Sequence, residues 1–200
     1  MSVPTDGAVK LALLVDASKV HGVEKLANVI LSDERFSRWS GSSASRQHHY
    51  GDGGLLQHTW EVWSLASQTF EFYRIGMKAG IMEVTHLPTM RELFLACLYH
   101  DVGKMWDYVK IDGVWQSAPH KRLIHHISRS AVEWTKAVEK TGEGRDIEDS
   151  VLHAILAHHG QRAWGSPVAP SSRLAWLVHI SDMMSARMND ADKLDLIDNR

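Results

Sequence analysis

At 200 residues the chain is long enough for one domain with a sizeable core, and 44% hydrophobic against 23% charged residues is an ordinary globular balance. A formal net charge of −2, with the 13 histidines counted as neutral, excludes a large basic footprint for duplex nucleic acid. The single cysteine, Cys97, excludes an internal disulfide; no signal-peptide pattern or run of roughly 20 apolar residues is present, so a cytoplasmic protein without membrane association is expected.

Residues 1–18 carry no pattern and read as an N-terminal arm. A single domain is expected over 19–190, with 191–200 as a C-terminal tail. The spacing of Val20, Val23, Leu26, Ala27, Ile30 and Leu31 predicts a helix over 19–31. A polar loop follows at 40–45, then the tight turn Gly51-Asp52-Gly53-Gly54. Leu55, Thr59, Val62, Ala66, Phe70 and Tyr73 recur every three or four residues, which predicts a long helix over 55–79. Pro88 and Thr89 precede a helix over 90–103. It is apolar nearly all round from Leu93 to Leu98, so it is read as central, with Cys97 as a core residue. Asp112-Gly113 sits between alternating residues and predicts a small β-hairpin around 107–117, expected to form one wall of the pocket. Helices are expected over 121–140, ended by Thr141-Gly142, and over 146–158, stopped by Gly160. After a loop over 161–170, Ser171 or Ser172 caps a last helix running to about 189. The sum is an all-α bundle with one hairpin.

Polar residues placed on these helices converge. His58 shares a face with Leu55 and Val62. His100-Asp101 ends the most apolar helix, and Asp182 sits inside an apolar run over 177–184. A buried carboxylate needs a cation, a metal or a full hydrogen-bond shell. Imidazole and carboxylate together suit divalent transition metals. His58, His100, Asp101, His126, His158, His159 and Asp182 exceed one octahedral shell once water is included; two metals bridged by Asp101 use them better. His100-Asp101-Val102-Gly103-Lys104, with His58, His158-His159 and Asp182 in order, makes the pattern strong.

With these motifs the sequence resembles the HD-domain superfamily of metal-dependent phosphohydrolases. Within it, the stretch from His48-His49-Tyr50 through Gly53-Gly54 to His58-Thr59, with His125-His126-Ile127, His158-His159-Gly160-Gln161 and Gly165-Ser166-Pro167, resembles the branch of bacterial 3′–5′ exoribonucleases of the YhaM type. The resemblance covers about residues 19–188. It implies an HD-type catalytic domain with His58, His100, Asp101 and Asp182 at one metal. Asp101 would bridge to a second metal completed by His126, His158 and His159, with Lys104 facing the substrate phosphate. Two divalent ions are implied, drawn from Mn, Fe, Ni, Co, Zn or Mg, with Mn favoured. Asp101, Lys104, His48 and His49 are the expected catalytic residues, and a protonated His48 or His125 would supply the leaving-group proton. Lys104, Trp164 and Ser166 are expected to bind substrate, Trp164 by stacking.

The sequence also departs from that branch. The exoribonucleases carry an N-terminal OB-fold module, and about 50 residues before His58 leave no room for one, so processive RNA binding is not expected. Ala163 stands where a glutamate is common. Met183 and Ser185 stand where acidic residues are frequent after the last aspartate. The expected activity is that of a phosphodiesterase or nuclease on nucleotides or short single-stranded nucleic acid, through two-metal-activated water. A (deoxy)nucleotide phosphatase or triphosphohydrolase is the first alternative and a di-iron oxygenase of the same fold the second; a homo-oligomer is compatible with either. His21, His86 and His120 are read as surface residues.

Overall fold

The computed structural model describes residues 6–45 and 47–198, with side chains through residue 190. Its elements run α1 (Asp6–Val20), α2 (Glu24–Leu31), α3 (Glu34–Arg38), α4 (Gly54–Lys78), α5 (Met90–Tyr99), α6 (Lys104–Asp107), β1 (Tyr108–Ile111), β2 (Val114–Ser117), α7 (Pro119–Leu123), α8 (His126–Thr141), α9 (Glu148–Ala157) and α10 (Arg173–Asp198). The architecture is the helical bundle with one hairpin that the hydrophobic pattern predicts. Among the described residues, no helix is long and apolar enough to cross a membrane.

The most apolar stretch is indeed central. Every residue of α5 from Leu93 to Tyr99 is buried, and each fully buried large apolar side chain contributes about 1.5–3 kcal/mol. Thr89 starts this helix with a capping box: its hydroxyl accepts the Glu92 N–H at 3.2 Å while Glu92 accepts the Thr89 N–H at 2.7 Å. α4, α8, α9 and α10 pack around and beside α5. The rigid anchor fixes His100 and Asp101, which follow its last turn.

Several boundaries differ from the sequence reading, each for a local reason. Residues 6–20, where an arm is expected, form α1, and its Leu14 is fully buried. The helix expected over 19–31 is divided at Gly22, whose φ of +65° lets Val23 N–H reach Ser18 O at 2.9 Å and close α1. The short α3 is additional, capped by Asp33 accepting from Arg35 N–H at 2.9 Å. α5 stops at Tyr99 rather than at 103, and a turn leads into α6. Gly103 is required in that turn, since a Cβ there would lie 2.1 Å from the carbonyl oxygen of His126. The missing side chain brings the Asp101 turn against the start of α8. The helix expected over 121–140 breaks at His125, whose φ is +70°. α10 continues past 189 as far as Asp198, through most of the expected tail. The arm's first five residues and the tail's last two lie outside the described residues.

The hairpin pairs Tyr108 with Ser117 and Ile111 with Val114, as the Asp-Gly turn predicts. It is fastened to the segment before α4. Trp39 Nε1 donates to Tyr108 O at 3.1 Å, and Asp52 accepts from Trp115 Nε1 and Lys110 Nζ, both within 2.8 Å.

Candidate metal centre

Five elements deliver the predicted ligands to one place. His58 comes from the second turn of α4. His100 and Asp101 follow α5, His126 opens α8, His158 and His159 follow α9, and Asp182 lies mid-way along α10. Their donor atoms form two groups: His58, His100, Asp101 and Asp182, and His126, His158 and His159, the atoms of each lying within 4.8 Å of one another.

Asp101 stands between the groups. Its Oδ2 lies 3.2 Å from His58 Nε2 and 3.4 Å from His100 Nε2. Its Oδ1 lies 3.4 Å from His126 Nε2 and 3.6 Å from His158 Nε2. Asp182 Oδ1 adds a second carboxylate to the first group, 3.0 Å from His58 Nε2.

The imidazoles share one arrangement. His100 Nδ1 donates to Cys97 O at 2.8 Å, His158 Nδ1 to Ile155 O at 2.7 Å and His159 Nδ1 to Trp164 O at 2.6 Å. His126 Nδ1 donates to Asp107 Oδ2 at 3.1 Å and His58 Nδ1 to Ser185 Oγ at 3.1 Å. With Nδ1 holding a hydrogen, a neutral ring presents a bare Nε2 inward; His58 Nε2 instead meets the Asp101 and Asp182 carboxylates, which favour a hydrogen there until a cation takes its place. The Nε2 atoms face one another at 3.2 Å between His58 and His100 and at 3.4 Å between His126 and His159. They repel unless positive charge lies between them. Asp101 Oδ1 and His158 Nε2 are buried and have no hydrogen-bond partner among the described residues; such an atom costs about 1–3 kcal/mol. The donor set therefore fits divalent cations, with each ligand ring oriented by an outer partner.

The electrostatics agree. Burial alone would raise the Asp101 pKa, but Lys104 and His100 hold it well below the usual carboxylate range. Burial is likewise outweighed at Asp182 by its contact with His58, so its carboxyl stays ionised. Burial opposes a charged His58, yet its contacts with Asp101 and Asp182 win and raise its pKa. In the second group burial dominates: it pushes His126 down to about 4, against the pull of Asp107, and His159 to about 3, helped by neighbouring His158 and His126. Lys104 Nζ lies 2.6 Å from Asp101 Oδ2 and stays charged, because Asp101 offsets its burial.

A cleft of about 300 Å³ opens onto the groups, lined by residues that include His48, Lys104, His159, Trp164, Asp182 and Arg187. Trp164 is 47% exposed at its rim. The other expected contacts are placed differently. His49 is buried behind His58, with ring centroids 4.7 Å apart, and its Nε2 engages Glu61 at 2.9 Å. Ser166 is buried, its hydroxyl has no partner among the described residues, and it is not among the residues that line the cleft. No hairpin residue lines this cleft; the expected wall instead docks on Trp39 and Asp52. Burial and the nearby Lys104 charge push His48 down to about 4, and burial lowers His125. These shifts favour the neutral ring at both, whereas the expected proton donor is a protonated histidine.

Sequence reasoning missed the outer partners. Asp107 is fully buried, accepts from the His126 backbone N–H at 3.0 Å, and binds His120 Nδ1 at 2.7 Å. His120 is thus part of the site's support rather than a free surface residue. The available signal was an acid inside the apolar stretch Met105-Trp106-Asp107-Tyr108-Val109. Ser185 Oγ supports His58 Nδ1, and Glu61 in turn accepts from Ser185.

A family model described as HD domain matches residues 55–187. The chain is similar to the 3′–5′ exoribonuclease YhaM of Listeria innocua, 26% identical over 176 residues covering 86% of this chain and 51% of that protein. It is also similar to the YhaM proteins of a Geobacillus species, 23% identical over 188 residues (92% of this chain, 53% of that one), and of Bacillus subtilis, 27% identical over 155 residues (76% and 44%). The chain spans about half the length of the curated relatives it matches. No solved structure matches it.

Proposed function

The chain belongs to the HD domain family of metal-dependent phosphohydrolases, and we propose that it is a phosphodiesterase acting on short single-stranded nucleic acid or nucleotides. The observation that carries this reading is the division of Asp101: its two oxygens face two separate groups of histidine nitrogens. His58, His100, Asp101 and Asp182 would hold one divalent metal, and Asp101, His126, His158 and His159 a second. Metals bound there supply Lewis acidity, drawing charge from phosphate oxygens and lowering the pKa of water toward neutrality.

The chain's own residues do the rest. Lys104, in the cleft beside Asp101, places fixed positive charge where a phosphate's negative charge grows. Arg187 adds a second cation to the cleft, and Trp164 offers a ring on which a base stacks. The cleft's volume sits at the small end of ligand pockets, which suits a single nucleotide unit better than a duplex. Names of the similar proteins favour RNA as the polymer.

The test loads the protein with Mn²⁺ and offers single-stranded oligoribonucleotides, oligodeoxyribonucleotides, nucleoside triphosphates, monophosphates and cyclic dinucleotides. Mononucleotide release from oligonucleotides, lost in Asp101→Ala, is the expected result. Turnover of monophosphates or triphosphates alone would replace the reading with a nucleotide phosphatase or triphosphohydrolase. Turnover surviving Asp101→Ala would remove the metal reading.

A further inference from the structure

Glu61 lies one turn after His58 on α4 and belongs to neither donor group, yet three segments meet at its carboxylate. It accepts from His49 Nε2 at 2.9 Å, Ser185 Oγ at 2.7 Å, Asn189 Nδ2 at 3.0 Å, and Gln57 Nε2. Ser185 relays this arrangement to the site. Its hydroxyl has one hydrogen, and that hydrogen is directed at Glu61. The oxygen is left to accept from His58 Nδ1 at 3.1 Å.

His58 differs here from the other histidines of the two groups. The Nδ1 atoms of His100, His158 and His159 rest on backbone carbonyls, and that of His126 on the Asp107 carboxylate. Those acceptors have no hydrogen to give, so the tautomer is decided outright. A hydroxyl both donates and accepts. Without Glu61, Ser185 could turn its hydrogen toward His58 Nδ1. The imidazole would then give up its Nδ1 hydrogen and keep one on Nε2, between Asp101 and Asp182, where a cation would otherwise bind.

We propose that Glu61 is a positioning residue that acts through Ser185 to keep a hydrogen on His58 Nδ1, so that Nε2 is the nitrogen left for a cation. The use of that nitrogen as a metal ligand rests on the metal-hydrolase reading; the tautomer does not. Glu61 also ties α4 to α10, so the same carboxylate sets the ring's tautomer and the packing of the helices that supply His58 and Asp182.

The test has two independent readouts. Long-range ¹H–¹⁵N spectra of the metal-free protein, with ¹⁵N-labelled histidine, should show a hydrogen on His58 Nδ1. Ser185→Ala and Glu61→Ala should leave His58 with a hydrogen on Nε2 alone, whereas Glu61→Gln, whose amide oxygen still accepts from Ser185, should keep the Nδ1 hydrogen. By calorimetry with Mn²⁺ alone, both alanine variants should bind about 10–100-fold more weakly. The double variant should bind no more weakly than Glu61→Ala, because the two residues act in series. Thermal melting identifies the variants that fold, and Ser185→Ala carries the test if Glu61→Ala does not. Folded alanine variants that keep both the His58 tautomer and the wild-type Mn²⁺ affinity would overturn the proposal. A wild-type protein with the expected tautomer but no Mn²⁺ binding would support the positioning role and overturn the metal reading.

Discussion

The two donor groups share Asp101 but differ in enclosure and charge. His58 and His100 are sealed from solvent, and Asp182 gives their group a carboxylate of its own. His126, His158 and His159 come from helix ends, have Asp101 as the carboxylate they share, and leave His159 half-exposed at the cleft. A closed shell with two carboxylates holds a divalent cation more tightly than neutral imidazoles at a cleft edge. On the proposed reading the first group anchors and the second meets the substrate.

Removing the shared residue erases the difference. Asp101→Ala should lower turnover by about 10³-fold or more, with metal analysis showing loss at both groups. Removing one ligand from each side sharpens it. Asp182→Asn should weaken the tighter phase of a Mn²⁺ titration by about 100-fold, while His159→Ala should weaken only the looser phase, by about 10-fold. Equal effects on one phase would mean that the groups do not act separately. A smaller effect of opposite sign is expected at Lys104. Its Nζ lies 2.6 Å from Asp101 Oδ2 and competes with a cation for that oxygen. Lys104→Met should therefore tighten Mn²⁺ binding a few-fold while slowing turnover; looser binding would show that the lysine supports the site instead.

His126 and His58, one histidine from each group, also differ toward acid. His126 takes up a proton only near pH 4 when folded, against 6.5 in the ordinary range. Below 6.5 the unfolded chain binds more protons, so this histidine costs stability as pH falls from about 6.5 to 4. His58 has a raised folded pKa and contributes in the other direction: its stabilisation is complete below 6.5 and is lost as pH rises through its folded value. The Tm of the metal-free protein should fall across the 6.5-to-4 window, and His126→Gln should flatten that slope. An unchanged slope would show that His126 is not its source.

The helices, the hairpin and the seven residues of the two donor groups were legible because each leaves a local mark. The Asp112-Gly113 turn, the Thr89 cap and the polar residues interrupting apolar faces are examples. Other features depend on contacts distant in sequence. The break at His125 is a positive-φ residue that is not glycine, a conformation imposed by packing rather than by residue type. Glu61 reads as an ordinary helix acid until Ser185 and Asn189 arrive from α10, more than a hundred residues later. Asp107 has no visible role until α8 folds back and places His126 over it.

The division of Asp101 between two groups is tested most directly by Mn²⁺ binding followed by electron paramagnetic resonance. Two Mn²⁺ per chain with a spin-coupled spectrum are expected in the wild type, and loss of that coupling in Asp101→Ala. One Mn²⁺ per chain, or two that remain uncoupled, would contradict it.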